Sequence, residues 1–240
     1  MSRLRNFIWM LAAAAATPAV AQGCPAPLSE ATRLVLVTAP HMNTSDAQLE
    51  LFQRDSATAP WRSASRKAPV RIGRNGMAWG YSFASHKQGG EPEKFEGDKR
   101  TPAGIFKLGT SFGFDDVARA NYIAVKDGET VCVEDPSSPL YNTITTRSKL
   151  APQTKADNMR DTELFRNGLF VDYPSDRATR RGSCIFIHIW RSPTTGTMGC
   201  VAMPEMHVKT LQSFSSSGAV IAILPESARD RFAGCLPKAE

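Results

Sequence analysis

The stretch that most limits what this chain can fold into runs from Gly182 to Met203. It opens with Cys184 to Trp190, an apolar run too short for a free helix and rich in Ile and Phe. That is the pattern of a strand buried on both faces. Period two then puts Phe186, His188 and Trp190 on one face and Ile185, Ile187 and Ile189 on the other. A loop rich in Pro, Thr and Gly, Arg191 to Gly199, carries the chain back to Cys200, twelve positions beyond His188. Pro204 stands at a natural first helical position, and Glu205 suits the positive end of a helix. A histidine in so apolar a strand is either a hydrogen-bonded core residue or a positioned base. The thiol between Gly199 and Val201, just ahead of a helix, is either structural or an activated nucleophile.

Ile187-His188, a variable loop and then Thr197-Met198-Gly199-Cys200-Val201 resemble the signature of the L,D-transpeptidases, cysteine enzymes that cross-link peptidoglycan. The resemblance extends to Gly73-Arg74-Asn75-Gly76-Met77-Ala78-Trp79-Gly80 and to Gly97-Asp98-Lys99-Arg100-Thr101-Pro102-Ala103-Gly104-Ile105-Phe106, and so covers nearly all of the mature chain. It implies Cys200 as nucleophile and His188 as general base, its imidazole oriented by the main-chain carbonyl of Ile189. Backbone N–H groups around Met198, Gly199 and Cys200 would form the oxyanion hole, Gly199 letting the backbone approach the substrate closely. The implied partners are peptidoglycan stem peptides, and no cofactor is needed.

Two positions depart from the family pattern. Met198 stands where a second histidine is usual, and Ala202 where Arg or Asn is frequent; the loop between His188 and Cys200 is also short. These changes leave the Cys/His chemistry intact but alter the rim where peptides bind. Tyr173, Trp190, Arg191 and Met198 are the substrate-binding candidates there. For Tyr173 and Trp190 the alternative is an ordinary core aromatic, and for Arg191 a solvated loop residue. The rival functions are a hydrolase on the same scaffold, as carboxypeptidase or amidase, and a non-catalytic wall-binding module. A zinc site from Cys184, His188, Cys200 and His207 fits none of the usual ligand spacings, so no metal is expected.

The chain begins with a basic n-region at Arg3 and Arg5, an apolar h-region from Phe7 to Ala16 and a cleavage site at Ala19-Val20-Ala21. Residues 1–21 therefore read as a signal peptide and 22–240 as a single catalytic domain in the periplasm. Gly23-Cys24 resembles the end of a lipobox, but Ala21 stands where Leu is usual. The apolar stretch is short for a membrane span, so no stable membrane insertion is expected. Losing Arg3 and Arg5 takes the formal charge from +6 to +4, a mild basicity that suits a polyanionic neighbour. No basic run interleaved with aromatics points to nucleic acid, and a monomer is expected.

All five cysteines lie in the exported part, where disulfides persist. If Cys200 is the working thiol, Cys24, Cys132, Cys184 and Cys235 remain for two bridges, with three pairings open. Cys24 with Cys235, near opposite termini, would leave Cys132 with Cys184.

Along the chain, Arg33 to Thr38 and Gln48 to Gln53 read as a hairpin, and Pro69 to Ile72 as another strand ending in the Asn75-Gly76 turn. Met77 to Ala84 reads as a strand with Trp79, Tyr81 and Phe83 on one face. Lys87 to Lys99 is a polar loop, either disordered or bordering a substrate groove. Thr130 to Val133 is a short strand, and Ser137 to Arg160 a long irregular loop over the core. Leu169 to Tyr173 precedes the His188 strand. Pro204 to Phe214 is the clear helix, with Met206, Leu211 and Phe214 inward, and Ala219 to Leu224 is a last buried strand. His86 and His207 are expected on the surface. Many short strands with one convincing helix indicate a mainly β, sandwich-like domain with one or two short helices and long loops, and the resemblance implies the same.

Overall fold

The computed structural model describes residues 23–238; the predicted signal peptide, residues 1–21, lies outside them. The strands are β1 (Arg33–Ala39), β2 (Asp46–Gln53), β3 (Arg62–Ser63), β4 (Ala68–Arg71), β5 (Met77–Trp79), β6 (Thr101–Gly113) and β7 (Tyr122–Ala124). They continue as β8 (Thr130–Val133), β9 (Ile144–Thr146), β10 (Ala156–Asn158), β11 (Asn167–Asp172), β12 (Phe186–Ile189), β13 (Val201–Met203) and β14 (Val220–Pro225). One α-helix, α1 (Glu205–Phe214), follows β13.

The large sheet runs β1-β14-β6-β11-β12-β13-β4-β2, and β2 pairs back onto β1. Eight strands thus close into a ring, which removes the exposed edges an open sheet would carry. The mainly β, sandwich-like class holds in this closed form. The ring encloses one apolar core. Ile185, Ile187 and Ile189 of the β12 stretch point into it, as do Val201 and Met203 of β13. The opposite face of the same strands carries Phe186, which joins Phe112, Val125, Cys132, Met159 and Cys184 in a second cluster. The alternation expected for Cys184 to Trp190 is therefore the boundary between two cores.

That second cluster lies beneath a separate three-stranded sheet, β10-β8-β9. Ser137 to Arg160 is consequently not one irregular loop but a flap containing β9 and β10. Met159 is fully buried beneath it and Ile144 packs against the same cluster. The disulfide Cys132–Cys184 ties the flap to the barrel, and Cys24–Cys235 ties the two ends of the domain together. Cys200 is the free cysteine. Both bridges match the pairing considered from sequence.

Three local expectations need correction. The strand starting at Met77 ends at Trp79, and Tyr81–His86 forms a 3₁₀ turn. Gly80 causes the break: its N–H reaches Ala103 O at 2.8 Å. A Cβ there would meet the Tyr173 and Phe106 rings at 3.0 and 3.1 Å. Met206 is 71 % exposed, because the buried stripe of α1 is Val208, Leu211 and Gln212. Met206, two residues before Val208, falls about 200° around the helix. His86 and His207 are both half-buried rather than at the surface, His86 stacked on Phe232 at 4.9 Å.

Candidate active site

β12 and β13 run parallel, with Ile187 opposite Val201 and His188 opposite Ala202. Extending that register one step brings Cys200 beside Phe186, on the face that also carries His188. A lateral spacing of about 4.8 Å and an offset of two residues put the two backbones about 8 Å apart. That is a reach the two side chains can span. Two residues twelve positions apart in sequence thus share one face because the register sets Cys200 opposite Phe186, one strand period from His188.

His188 Nδ1 lies 2.7 Å from the carbonyl of Ile189. A carbonyl oxygen only accepts, so Nδ1 carries the proton and Nε2 keeps its lone pair. The Phe165 ring stands edge-on to the imidazole at 5.3 Å. Burial among these groups pushes the imidazole down to about 4, the Ile189 hydrogen bond opposing only part of the shift. His188 is therefore neutral at pH 7.

The Cys200 residue keeps some exposed surface, but its thiol packs against the second cluster. The sulfur accepts from Phe186 N–H at 3.4 Å and donates to Cys184 O at 3.7 Å. Burial pushes the thiol up to about 12, the Phe186 N–H pulling the other way. The resting pair is thus thiol and neutral imidazole. Placement ahead of a helix gives no activation either, since β13 separates Cys200 from the first turn of α1, and a helix dipole acts only over that turn.

The three resembling stretches meet at Cys200. Thr101 Oγ1 donates to Cys200 O at 3.1 Å and accepts from Gly73 N–H at 2.8 Å. Thr197 Oγ1 donates to the same carbonyl at 2.6 Å and accepts from Gly199 N–H at 3.1 Å. With Gly199 so engaged, the N–H groups of Met198 and Cys200 have no protein acceptor among the described residues. Gly199 has φ +145°, a backbone state side chains rarely adopt, and a Cβ there would press on Arg100 O at 3.3 Å.

The loop Lys87 to Lys99 is ordered around Asp98. Its carboxylate accepts from Lys94 Nζ at 2.6 Å, Phe95 N–H at 3.0 Å and Arg100 N–H at 2.8 Å. Both charged side chains of the Lys94–Asp98 pair are buried, at 3 % and 2 % exposure. Glu96 accepts from Tyr141 of the flap at 2.7 Å and from Ser183 at 2.9 Å, locking loop, flap and the approach to β12 together.

The substrate-binding candidates separate. Tyr173 is a core residue, 1 % exposed, its hydroxyl donating to Arg181 O at 2.7 Å and its ring edge-on to Phe106. With no free surface it cannot wall a substrate groove here. Trp190 is half-buried, and alternation places it on the His188 face. Arg191 is exposed on the returning loop. Met198 is 63 % exposed beside Gly199. Cys184 is committed to a disulfide, and among the described residues no group of three or more His, Cys, Asp or Glu could hold a metal. Sequence reasoning missed Asn142, Thr101, Thr197, Phe165 and the Lys94–Asp98 pair as parts of the site. Thr101, Asp98 and Thr197 sat inside quoted stretches, but a stretch does not say which atom each residue holds.

The β-ring thus sets a buried histidine and a free cysteine on one face of two parallel strands. The family model of the L,D-transpeptidase catalytic domain (YkuD) matches residues 41–223, and this chain belongs to that family. A search of curated proteins returns no match.

Proposed function

We propose that this chain is an exported, cysteine-dependent L,D-transpeptidase acting on peptidoglycan stem peptides. The observation that carries the reading is the Nδ1–H bond from His188 to Ile189 O, which leaves Nε2 as a free base on the face that holds Cys200. In the first step His188 Nε2 takes the thiol proton as Cys200 Sγ attacks the donor carbonyl. Charge develops on that carbonyl oxygen, and the open N–H groups of Met198 and Cys200 are placed to receive it. Gly199, whose own N–H is engaged by Thr197, serves by letting the backbone approach closely.

Collapse of the intermediate breaks the C–N bond. The imidazolium returns its proton to the leaving amine, and a Cys200 thioester remains. An acceptor amine then attacks the thioester, His188 takes the amine proton, and the thiol is regenerated with a new amide. No redox step or cofactor enters this cycle. Export is supported by the two disulfides and by the n-region, h-region and cleavage site of residues 1–21. Among the described residues no helix is long and apolar enough to cross a membrane.

Transfer must outrun hydrolysis against water at about 55 M, so acceptor orientation has to supply the preference. The apolar packing of Cys200 against the cluster beneath the flap supports transfer, because a site so covered would shield a thioester from water. Purified enzyme incubated with a disaccharide-tetrapeptide and read by mass spectrometry tests the reading, with Cys200→Ala as control. A cross-linked dimer lacking the leaving residue is expected. Shortened monomer alone means a carboxypeptidase, and unchanged substrate leaves a wall-binding module.

A further inference from the structure

Cys184 holds a left-handed backbone, φ +55°, that non-glycine residues seldom adopt. Two groups of the flap hold it there. Its sulfur is bonded to Cys132 of β8, and its N–H donates to Asn142 Oδ1 at 2.8 Å. Asn142 is itself left-handed, φ +62°. Its amide nitrogen Nδ2 donates to Tyr173 O at 2.8 Å, and its backbone N–H to Val133 O at 2.8 Å. One side chain therefore joins flap, barrel and Cys184. The turn so fixed aims the Cys184 carbonyl at Cys200 Sγ and, two residues on, the Phe186 N–H at the same sulfur.

We propose that Asn142 and the Cys132–Cys184 disulfide are positioning elements for the nucleophile, holding Cys184 so that its carbonyl parks the Cys200 thiol until substrate arrives. A bridge needed only to staple the flap could join it to the barrel anywhere. This one ends on the residue whose carbonyl accepts the hydrogen bond from the Cys200 thiol. Parked, the S–H points at Cys184 O; in the reaction it turns to His188 Nε2. Losing the clamp lets solvent reach the sulfur and loses the aim of the Phe186 N–H. The thiol then becomes easier to ionise but worse placed to attack a peptide carbonyl. The charged groups acting on Cys200 are Lys94 from the loop before β6, which favours thiolate, and Asp157 of β10 and Glu134 after β8, which favour thiol. His188 of β12 is the neutral base.

The inference rests on Cys200 being the nucleophile, and its test has one arm that needs no peptide. Asn142→Gly deletes the amide while keeping a residue at ease with positive φ. Cys132→Ser/Cys184→Ser removes the bridge and leaves Cys200 the free thiol, while Asn142→Asp keeps the accepting oxygen. Thermal melting establishes that each variant is folded. The pH profile of iodoacetamide alkylation of Cys200 is then measured, together with kcat and KM for acylation by a tetrapeptide donor. For the Gly and double-Ser variants we expect alkylation at pH 8 to rise about 10-fold or more, as the profile moves toward the ordinary thiol value near 8.5. Their kcat should fall about 10-fold with KM little changed, and Asn142→Asp, which keeps the acceptor for Cys184 N–H but loses the donor to Tyr173 O, should alkylate at a rate between those of wild type and Asn142→Gly. Folded Gly and double-Ser proteins with the wild-type alkylation profile would overturn the inference, and so would faster alkylation with unchanged kcat. If the peptide acylates no form of the enzyme, the proposed function fails while the alkylation profile still decides the positioning role.

Discussion

Buried His188 and Cys200 depart in opposite directions from their ordinary values, and the pH dependence of stability follows. His188 is held at about 4, below the value near 6.5 of a free histidine. Between those limits the unfolded chain binds a proton that the folded chain refuses, so stability rises with pH across the window. The gain is about 3 kcal/mol once pH exceeds 6.5. Cys200 is raised to about 12, so above pH 9 the unfolded chain ionises first and stability falls again. Urea unfolding between pH 4 and 7 should show the acid-side slope, and His188→Gln should flatten it. An identical slope in the variant would remove His188 as its source. The acid limb of kcat/KM should likewise lie near the lowered histidine value, well below 6.5. His188→Gln should cost 10² to 10⁴ in turnover, and near wild-type activity from the folded variant would make His188 a core residue. Both residues were legible in the sequence, because alternation fixed the face of His188 and Gly199-Cys200 stood out beside it. Burial of the thiol was not, since the flap that covers it comes from residues 132 to 160.

Elements were legible where pattern and local geometry agree. β1, β2 and β8 lie within a residue or two of their expected bounds, since alternation or a short apolar run met no competing constraint. Met77 to Ala84 failed because Tyr173 and Phe106 crowd Gly80, and no local pattern encodes rings from β6 and the end of β11. The loop Lys87 to Lys99 is built on a charge pair whose burial a polar composition does not announce. Removing one partner of a buried pair strands the other, at about 3–5 kcal/mol, whereas replacing both can be near neutral. Asp98→Ala should therefore destabilise by about that amount, and Lys94→Met/Asp98→Leu should recover most of it. Chemical denaturation of Asp98→Ala, of Lys94→Met and Asp98→Leu singly, and of the double variant would show this. Additive losses would mean that the pair is not coupled.

The closed ring fixes the short segment that carries His188 and Cys200. β12 and β13 are held on both sides, by β11 and β4, so the relative placement of His188 and Cys200 belongs to the whole sheet. Mainly β character could be read from the succession of short strands. The β1–β2 hairpin was read from the sequence and is present, but the pairings of β1 with β14 and of β13 with β4 that close the ring, and the parallel pairing of β12 with β13, left no local signal. The ends are closed by Cys24–Cys235, 211 positions apart. Chain-entropy arguments give such a loop about 5 kcal/mol, so Cys24→Ser/Cys235→Ser should lower stability by several kcal/mol without changing alkylation of Cys200. The central claim is a covalent intermediate on Cys200, and intact-protein mass spectrometry after brief exposure to a tetrapeptide donor tests it most directly. Wild type should gain the mass of the donor minus its leaving residue, with the adduct mapping to Cys200 and absent from Cys200→Ala. Turnover of the donor with no such adduct, or with the adduct retained in Cys200→Ala, would contradict it.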